Sequence, residues 1–147
     1  MTAPGPIRTA AFAELDNATL YGLLKLRVDV FVVEQACPYP ELDGRDAEPA
    51  TRHCWIEEGG VPVACLRVLA EPGGVVRIGR VATATSHRRR GLAAALITEA
   101  ITMTAPAPVV LGGQSQLVDW YRTLGFEVDG AEYLEDGIPH TPMSLRR

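Results

Sequence analysis

Apolar residues recur in two rhythms along this chain. Steps of three and four join Leu20, Leu23, Leu24, Val28, Phe31 and Val32, which predicts one buried face of a helix. Asp16 or Asn17 stands where a cap would satisfy its first amides. Pro38 and Pro40 cannot continue it, so it should end near Gln35. Residues 7–12 predict a short strand before the helix. Residues 36–50 read as a long polar loop, a length that in a compact domain is usually functional or mobile. Three strands are then expected in close order, over 51–57, 62–70 and 75–84, separated by Gly59-Gly60 and by Glu71-Pro72-Gly73-Gly74.

The helical rhythm returns at Gly91, with Leu92, Ala95, Leu96 and Ile101 on one side and Pro106 and Pro108 as the close. Residues 109–111 predict a short buried strand, and 116–123 a last amphipathic helix ended by Gly125 as its C-terminal cap. Two final strands, 126–128 and 142–146, flank a turn-rich segment containing Asp136, Gly137 and Pro139. A helix, an antiparallel meander and a strand–helix–strand unit predict a mixed α/β (α+β) domain, with one central sheet of about six or seven strands flanked by helices.

Composition narrows this picture. The 147 residues suit one domain, and 47% apolar with 22% charged residues can build a real core. We expect a single domain over 1–147 with a flexible start over 1–6. That start lacks the basic flank and apolar stretch of a leader peptide. No apolar run approaches the roughly 20 residues of a membrane span. A formal net charge of -4 argues against a general nucleic-acid binder. Cys37, Cys54 and Cys65 show no CxxC spacing, so neither a metal site nor a disulfide framework is expected. Reduced thiols in a cytoplasmic protein are the simpler reading.

The segment 80–93 carries the chemistry. A strand runs into Arg88, Arg89 and Arg90, and Gly91 then opens a helix. A diphosphate needs backbone N–H donors, positive potential and close approach of the main chain. Free amides at a helix start supply the donors, and the helix dipole adds about 0.3–1 kcal/mol for an exposed anion. Gly91 and Ala93 are small enough to let phosphate oxygens reach those amides. A solvated charge run or a nucleic-acid patch is the competing reading of three arginines, and the acidic remainder of the chain disfavours the latter.

Arg88-x-x-Gly91-x-Ala93, following Val81-x-Thr83, resembles the coenzyme A pyrophosphate signature of the GNAT acetyltransferases. Trp120-Tyr121-Arg122-Thr123-Leu124-Gly125-Phe126 resembles that superfamily's Tyr-x-x-Leu-Gly-Phe segment. A narrower likeness, to the ElaA-type branch, rests on Leu26-Arg27, Val30-Phe31-Val32-Val33-Glu34-Gln35, Cys37-Pro38-Tyr39, Glu41, Asp43 and Asp46, with the run from Tyr133 to His140. The resemblance spans nearly the whole chain. It implies the acetyltransferase fold and acetyl-CoA as co-substrate, without a metal, and it supplies no acceptor. It admits a homodimer, which no patch in the sequence identifies.

By that resemblance the cofactor would lie against Val81, Ala82, Thr83, Arg88, Arg89, Arg90, Gly91, Leu92 and Ala93. Gln114 is a further candidate. The N–H near Val81 or Ala82 is the expected oxyanion donor. Tyr121 is the expected partner of the departing thiolate. A phenol near pKa 10 would give its proton to a thiol near 8.5 only at a cost of roughly 2 kcal/mol, so a hydrogen bond is the easier role. An amine near pKa 10.4 must lose a proton before attack, and Glu34, His140 and Glu71 are the candidate bases. Cys37 has no paired base, and direct transfer needs no acyl-enzyme. Glu41, Asp43, Asp46 and Glu48 would favour a cationic acceptor if their loop lines the cleft; otherwise they form a solvated loop. The expected activity is transfer of an acetyl group to the amine of a small molecule or peptide by direct attack in a ternary complex. The alternatives are a non-catalytic acyl-CoA sensor and an acyltransferase using another acyl-CoA. Neither nucleic acid nor membrane is an expected partner.

Overall fold

Glycine-rich turns fold the first half of the chain into an antiparallel meander. Strands β1 (Arg8–Ala10), β2 (Arg52–Glu58), β3 (Val61–Ala70) and β4 (Val76–Thr83) pair in sequence order. The chain then crosses over through helix α2 (Leu92–Thr104) so that β5 (Val109–Gln114) lies parallel to β4. Strand β8 (Ile138–Leu145) runs antiparallel beside β5 and carries β6 (Glu127–Val128) and β7 (Tyr133–Glu135) on its other side. Among the described residues the result is one eight-stranded sheet. Helix α1 (Asn17–Val28) precedes β2, and the short α3 (Val118–Thr123) follows β5. The computed structural model describes residues 5–145 and 147. Residues 1–4 of the expected flexible start, and Arg146 of the expected last strand, lie outside them.

Side chains alternate across the sheet, so each face receives its own helix. Ile56, Leu66 and Val68 pack with α2, whose Leu96, Ile97 and Ala100 have no exposed surface. Trp55, Cys65 and Ala82 point the other way, onto Leu23, Leu26 and Val30. Each fully buried aliphatic side chain contributes about 1.5–3 kcal/mol by leaving water. Removing either helix would therefore strip one face of the sheet.

Three elements differ from expectation. Helix α1 is capped by Asp16, which accepts from the Thr19 amide at 2.7 Å. It gives way at Asp29 to a π-helical turn, Asp29–Glu34, with Gln35 as its C-cap. Its buried face is Leu23, Leu26 and Val30, while Leu20, Leu24, Val28, Phe31 and Val32 are only half-buried flanks. The rotation brings Arg27 inside, for a reason given below. The segment 133–140, expected as turns before a strand, is a β-hairpin. Asp136 (φ 50°) and Gly137 (φ 79°) make its two-residue turn, the geometry that Asp-Gly favours. Pro139 is tolerated in β8 because the ladder with β5 begins only at His140.

Candidate active site

Strands β4 and β5 touch only at their starts. Their ladder consists of Val76↔Val109 and Arg77↔Val110, and among the described residues nothing continues it. A cleft of ≈ 750 Å³ occupies the wedge beyond, walled by Val81, Ala82 and Thr83 on one side and by Leu111, Gly112 and Gln114 on the other. Strand β4 is bulged here. Its register against β3 slips between Cys65 and Arg67, and Arg80 has φ 52°. That left-handed backbone costs an L-residue about 1–2 kcal/mol, and a bulge re-aims the strand that follows it. The Ala84 N–H donates to Val63 O of β3 at 2.8 Å. Amides alternate in direction along a strand, so the Ala82 N–H also points toward β3 and the Val81 N–H points into the wedge.

The start of α2 stands at the mouth of this cleft, in the place the sequence indicates. Gly91 is its N-cap at φ 74°, and no side chain caps the first turn. The first backbone bond runs from Ala95 N–H to Gly91 O, which leaves the amides of Leu92, Ala93 and Ala94 without helical partners. Ala93 lines the cleft; the Leu92 side chain is in the core. A Cβ at Gly91 would meet nothing within 4 Å, so its left-handed φ is what glycine serves there. Arg89 lines the cleft and makes no ion pair among the described residues. Arg90 lies 4.0 Å from Glu58. Arg88 is engaged on both sides, with Nε donating to Thr83 O at 3.1 Å and the two Nη groups held by Glu34. Gln114 reaches Gln35 at 3.4 Å across the opening of the wedge.

Tyr121 is buried against Gly113, where a Cβ would lie 2.8 Å from the ring. Trp120 and Phe126 meet its edges. Burial pushes its phenol up to about 12, so it remains a neutral donor at the cleft wall. The gap to a free thiol then corresponds to roughly 5 kcal/mol, which excludes full proton donation as an easy step.

The candidate bases fall in different settings. The Arg88 guanidinium holds Glu34 below the usual carboxylate range, partly opposed by desolvation. Glu71 is lowered in the same way, chiefly by Arg45, and Arg77 also binds it. It does not line the cleft. His140 does, stacked on Tyr133 at 5.7 Å. Its Nδ1 lies 2.8 Å from Ile138 O. A carbonyl can only accept, so Nδ1 carries the hydrogen and Nε2 is the atom left to take a proton; Glu135 stands 3.6 Å from it.

The acidic loop is neither a solvated collar nor a free cation site. Glu41 and Asp46 are buried and bound by Arg27, Arg67 and Arg80, so their charge is neutralised internally. Asp43, also paired with Arg67, reaches the cleft wall, and Glu48 pairs with Arg45. All three cysteines are free and buried. Cys37 Sγ lies 3.6 Å from Asp136 O.

Tyr39, Arg80 and Tyr133 line the cleft; the sequence places them in its matching segments but assigns them no role there. For Tyr133 a signal exists. Gly112 and Gly113 interrupt a short buried strand, a sign of close approach; a Cβ at Gly112 would strike the Tyr133 hydroxyl, as one at Gly113 would strike Tyr121.

Comparison with known proteins agrees with this architecture. Residues 22–147 match the acetyltransferase (GNAT) domain family. The chain is 48% identical over 134 residues to UPF0039 protein Rv2851c of Mycobacterium tuberculosis, covering 88% of this chain and 86% of that one. The crystal structure of Escherichia coli ElaA superposes with a TM-score of 0.89 at 33% identity, covering 96% and 99% of the two chains. An acyl-CoA N-acyltransferase from Pseudomonas aeruginosa gives 0.89 at 38% identity, covering 95% and 99%. The chain therefore belongs to the GNAT acyltransferase family, in its ElaA-type branch.

Proposed function

We propose that this protein, as a single domain, transfers an acetyl group from acetyl-CoA to the amine of a small molecule or peptide by direct attack in a ternary complex. The observation that carries the reading is the juxtaposition of the wedge between β4 and β5 with the uncapped start of α2. The wedge would take the pantetheine arm and the acyl group. The amides of Leu92, Ala93 and Ala94, with Arg89, Arg90 and a released Arg88, would hold the diphosphate. The Pseudomonas aeruginosa relative supports N-acyl transfer from an acyl-CoA.

The amine nitrogen attacks the thioester carbonyl carbon, and its proton passes to His140 Nε2. Negative charge on the carbonyl oxygen is met by the Val81 N–H. The C–S bond then breaks as the new amide forms. The thiolate accepts a hydrogen bond from the Tyr121 hydroxyl and takes its proton from solvent. Buried free thiols at Cys37, Cys54 and Cys65 suit a reducing, cytoplasmic setting.

The test is a calorimetric titration with acetyl-CoA, dephospho-CoA and pantetheine, followed by thiol release across a panel of amines. Binding that needs the diphosphate, with amine-dependent release, supports the reading. Equal binding of pantetheine would place the phosphates elsewhere, and absence of binding would withdraw it.

A further inference from the structure

The loop between α1 and β2 reaches beneath β4 and takes hold of its bulge. Glu41 is only 4% exposed. Its Oε2 accepts from Arg27 Nε and from Arg80 Nε, each at 2.7 Å. Arg80 Nη2 adds a bond to Glu41 O at 3.0 Å, and the guanidinium lies 5.6 Å from the centre of the Tyr39 ring. The Tyr39 hydroxyl donates to the other Glu41 oxygen. Arg27 is fixed in turn by Asp46, which also holds Arg67. This is why α1 turns an arginine inward.

Arg80 is the one residue of β4 with a left-handed φ, and it stands at the bulge. Such a backbone persists at a residue other than glycine only where its surroundings over-determine it. Here they do so through the side chain, by two hydrogen bonds to one buried residue whose carboxylate is itself pinned by Arg27 and Tyr39. The next residue along the chain is Val81, whose N–H points into the wedge.

We propose that Arg80 and Glu41 are positioning residues for acyl transfer: the clamp of Arg27, Glu41 and Arg80 holds the bulge of β4 and thereby aims the Val81 N–H at the thioester oxygen. The proposal rests on the reading of the wedge as the acyl-CoA site. Neither side chain needs to touch the reacting atoms. Both act through the backbone, and the acids of the loop are then part of the catalytic scaffold rather than a determinant of the acceptor.

Infrared difference spectroscopy with [1-13C]acetyl-CoA tests it without knowledge of the acceptor. A well-aimed donor lowers the carbonyl stretch of the bound thioester relative to free acetyl-CoA. Arg80→Met should lose most of that downshift while still binding acetyl-CoA. Arg80→Lys, which keeps a cation against Glu41, should restore part of it. Methionine lacks both the clamp and the freedom of glycine at φ 52°, so a retained downshift in Arg80→Met would show that the clamp is dispensable and overturn the inference alone. Glu41→Gln gives a second route, with the same loss expected; loss of its fold would leave Arg80→Met to decide. Acetyl-CoA that bound the unmutated protein with no downshift would remove the Val81 donor and this inference together, leaving the cofactor site. Failure to bind at all would remove both readings.

Discussion

Arg88 and Glu34 meet in a two-pronged ion pair, Nη1 to Oε2 at 2.5 Å and Nη2 to Oε1 at 2.6 Å. The pair ties the end of the π-helical turn to the loop that leads into α2. It also joins a candidate phosphate ligand to a candidate base. A guanidinium spent on Glu34 has less to offer a diphosphate, and a carboxylate held by Arg88 is a poor proton acceptor. Cofactor binding and this pair should therefore compete.

Glu34→Gln measures that competition. Exposed ion pairs contribute about 0.2–1 kcal/mol, so releasing Arg88 should tighten acetyl-CoA binding by up to about fivefold, and less so at high salt. Calorimetry at two ionic strengths reads both effects. Weaker binding in the variant would mean that Glu34 orients Arg88 toward the phosphates.

Replacement of Gly91 tests the cradle itself. Valine there is forced into a left-handed φ of 74°, at about 1–2 kcal/mol or more for a β-branched residue, and its branch would crowd the amides of Leu92 and Ala93. Acetyl-CoA affinity should fall at least tenfold for Gly91→Val, with Arg88→Ala and Arg90→Ala giving smaller losses. Thermal melting checks that the fold persists. Unchanged affinity in all three would move the phosphates away from α2.

Much of this could be read from the sequence because local rules and tertiary demands coincide. Gly91 after three arginines marks the start of α2, and the Gly59-Gly60 turn marks the β2–β3 hairpin. What escaped depends on partners distant in sequence. Nothing near Arg27 announces that Glu41 and Asp46 will pull it inside, so the apolar stripe of α1 reads as rotated from its true face. The same acids read as a free negative loop, although their arginine partners lie on α1, β3 and β4. The Asp136-Gly137 hairpin was within reach of turn chemistry, but Pro139 read as part of the same turn-rich segment, and only the end of β5 shows why a strand accepts it. The wedge itself is invisible in sequence, since it consists of a ladder that stops.

His53 sets a pH dependence of stability. It is buried on β2, with Nε2 3.1 Å from Asp46 O, and desolvation lowers its pKa below the ordinary 6.5, a backbone hydrogen bond partly opposing. Between that lowered value and 6.5 the unfolded chain binds more protons than the folded one. Stability therefore falls as pH drops through this window, and is fully present above it. Asp46, whose desolvation is outweighed by its bonds to Arg27 and Arg67 so that its carboxyl stays below the ordinary range, extends the loss below about pH 4. Melting temperatures from pH 8 to about pH 2 should decline first in the His53 window. A His53→Gln variant should flatten that first decline and leave the acid one in place; an identical profile would assign the first decline to another group.

Tyr121 separates an enzyme from a binding protein. Its ring is set by Gly113 and Phe126 and its hydroxyl makes no hydrogen bond among the described residues, so Tyr121→Phe removes one oxygen with little loss of packing. A hydrogen bond to a charged group contributes about 1.5–3 kcal/mol. Losing it from the thiolate should lower kcat by about ten- to a hundredfold while KM for acetyl-CoA stays nearly constant, since the charge exists only as the C–S bond breaks. Gly113→Ala offers the complementary change, keeping the hydroxyl but pushing the ring from its place, with overpacking costing about 1–3 kcal/mol of stability. Both variants should bind acetyl-CoA and both should turn over slowly. Full turnover in Tyr121→Phe with an impaired Gly113→Ala would show that the ring shapes the wedge and that the thiolate finds its proton without the phenol.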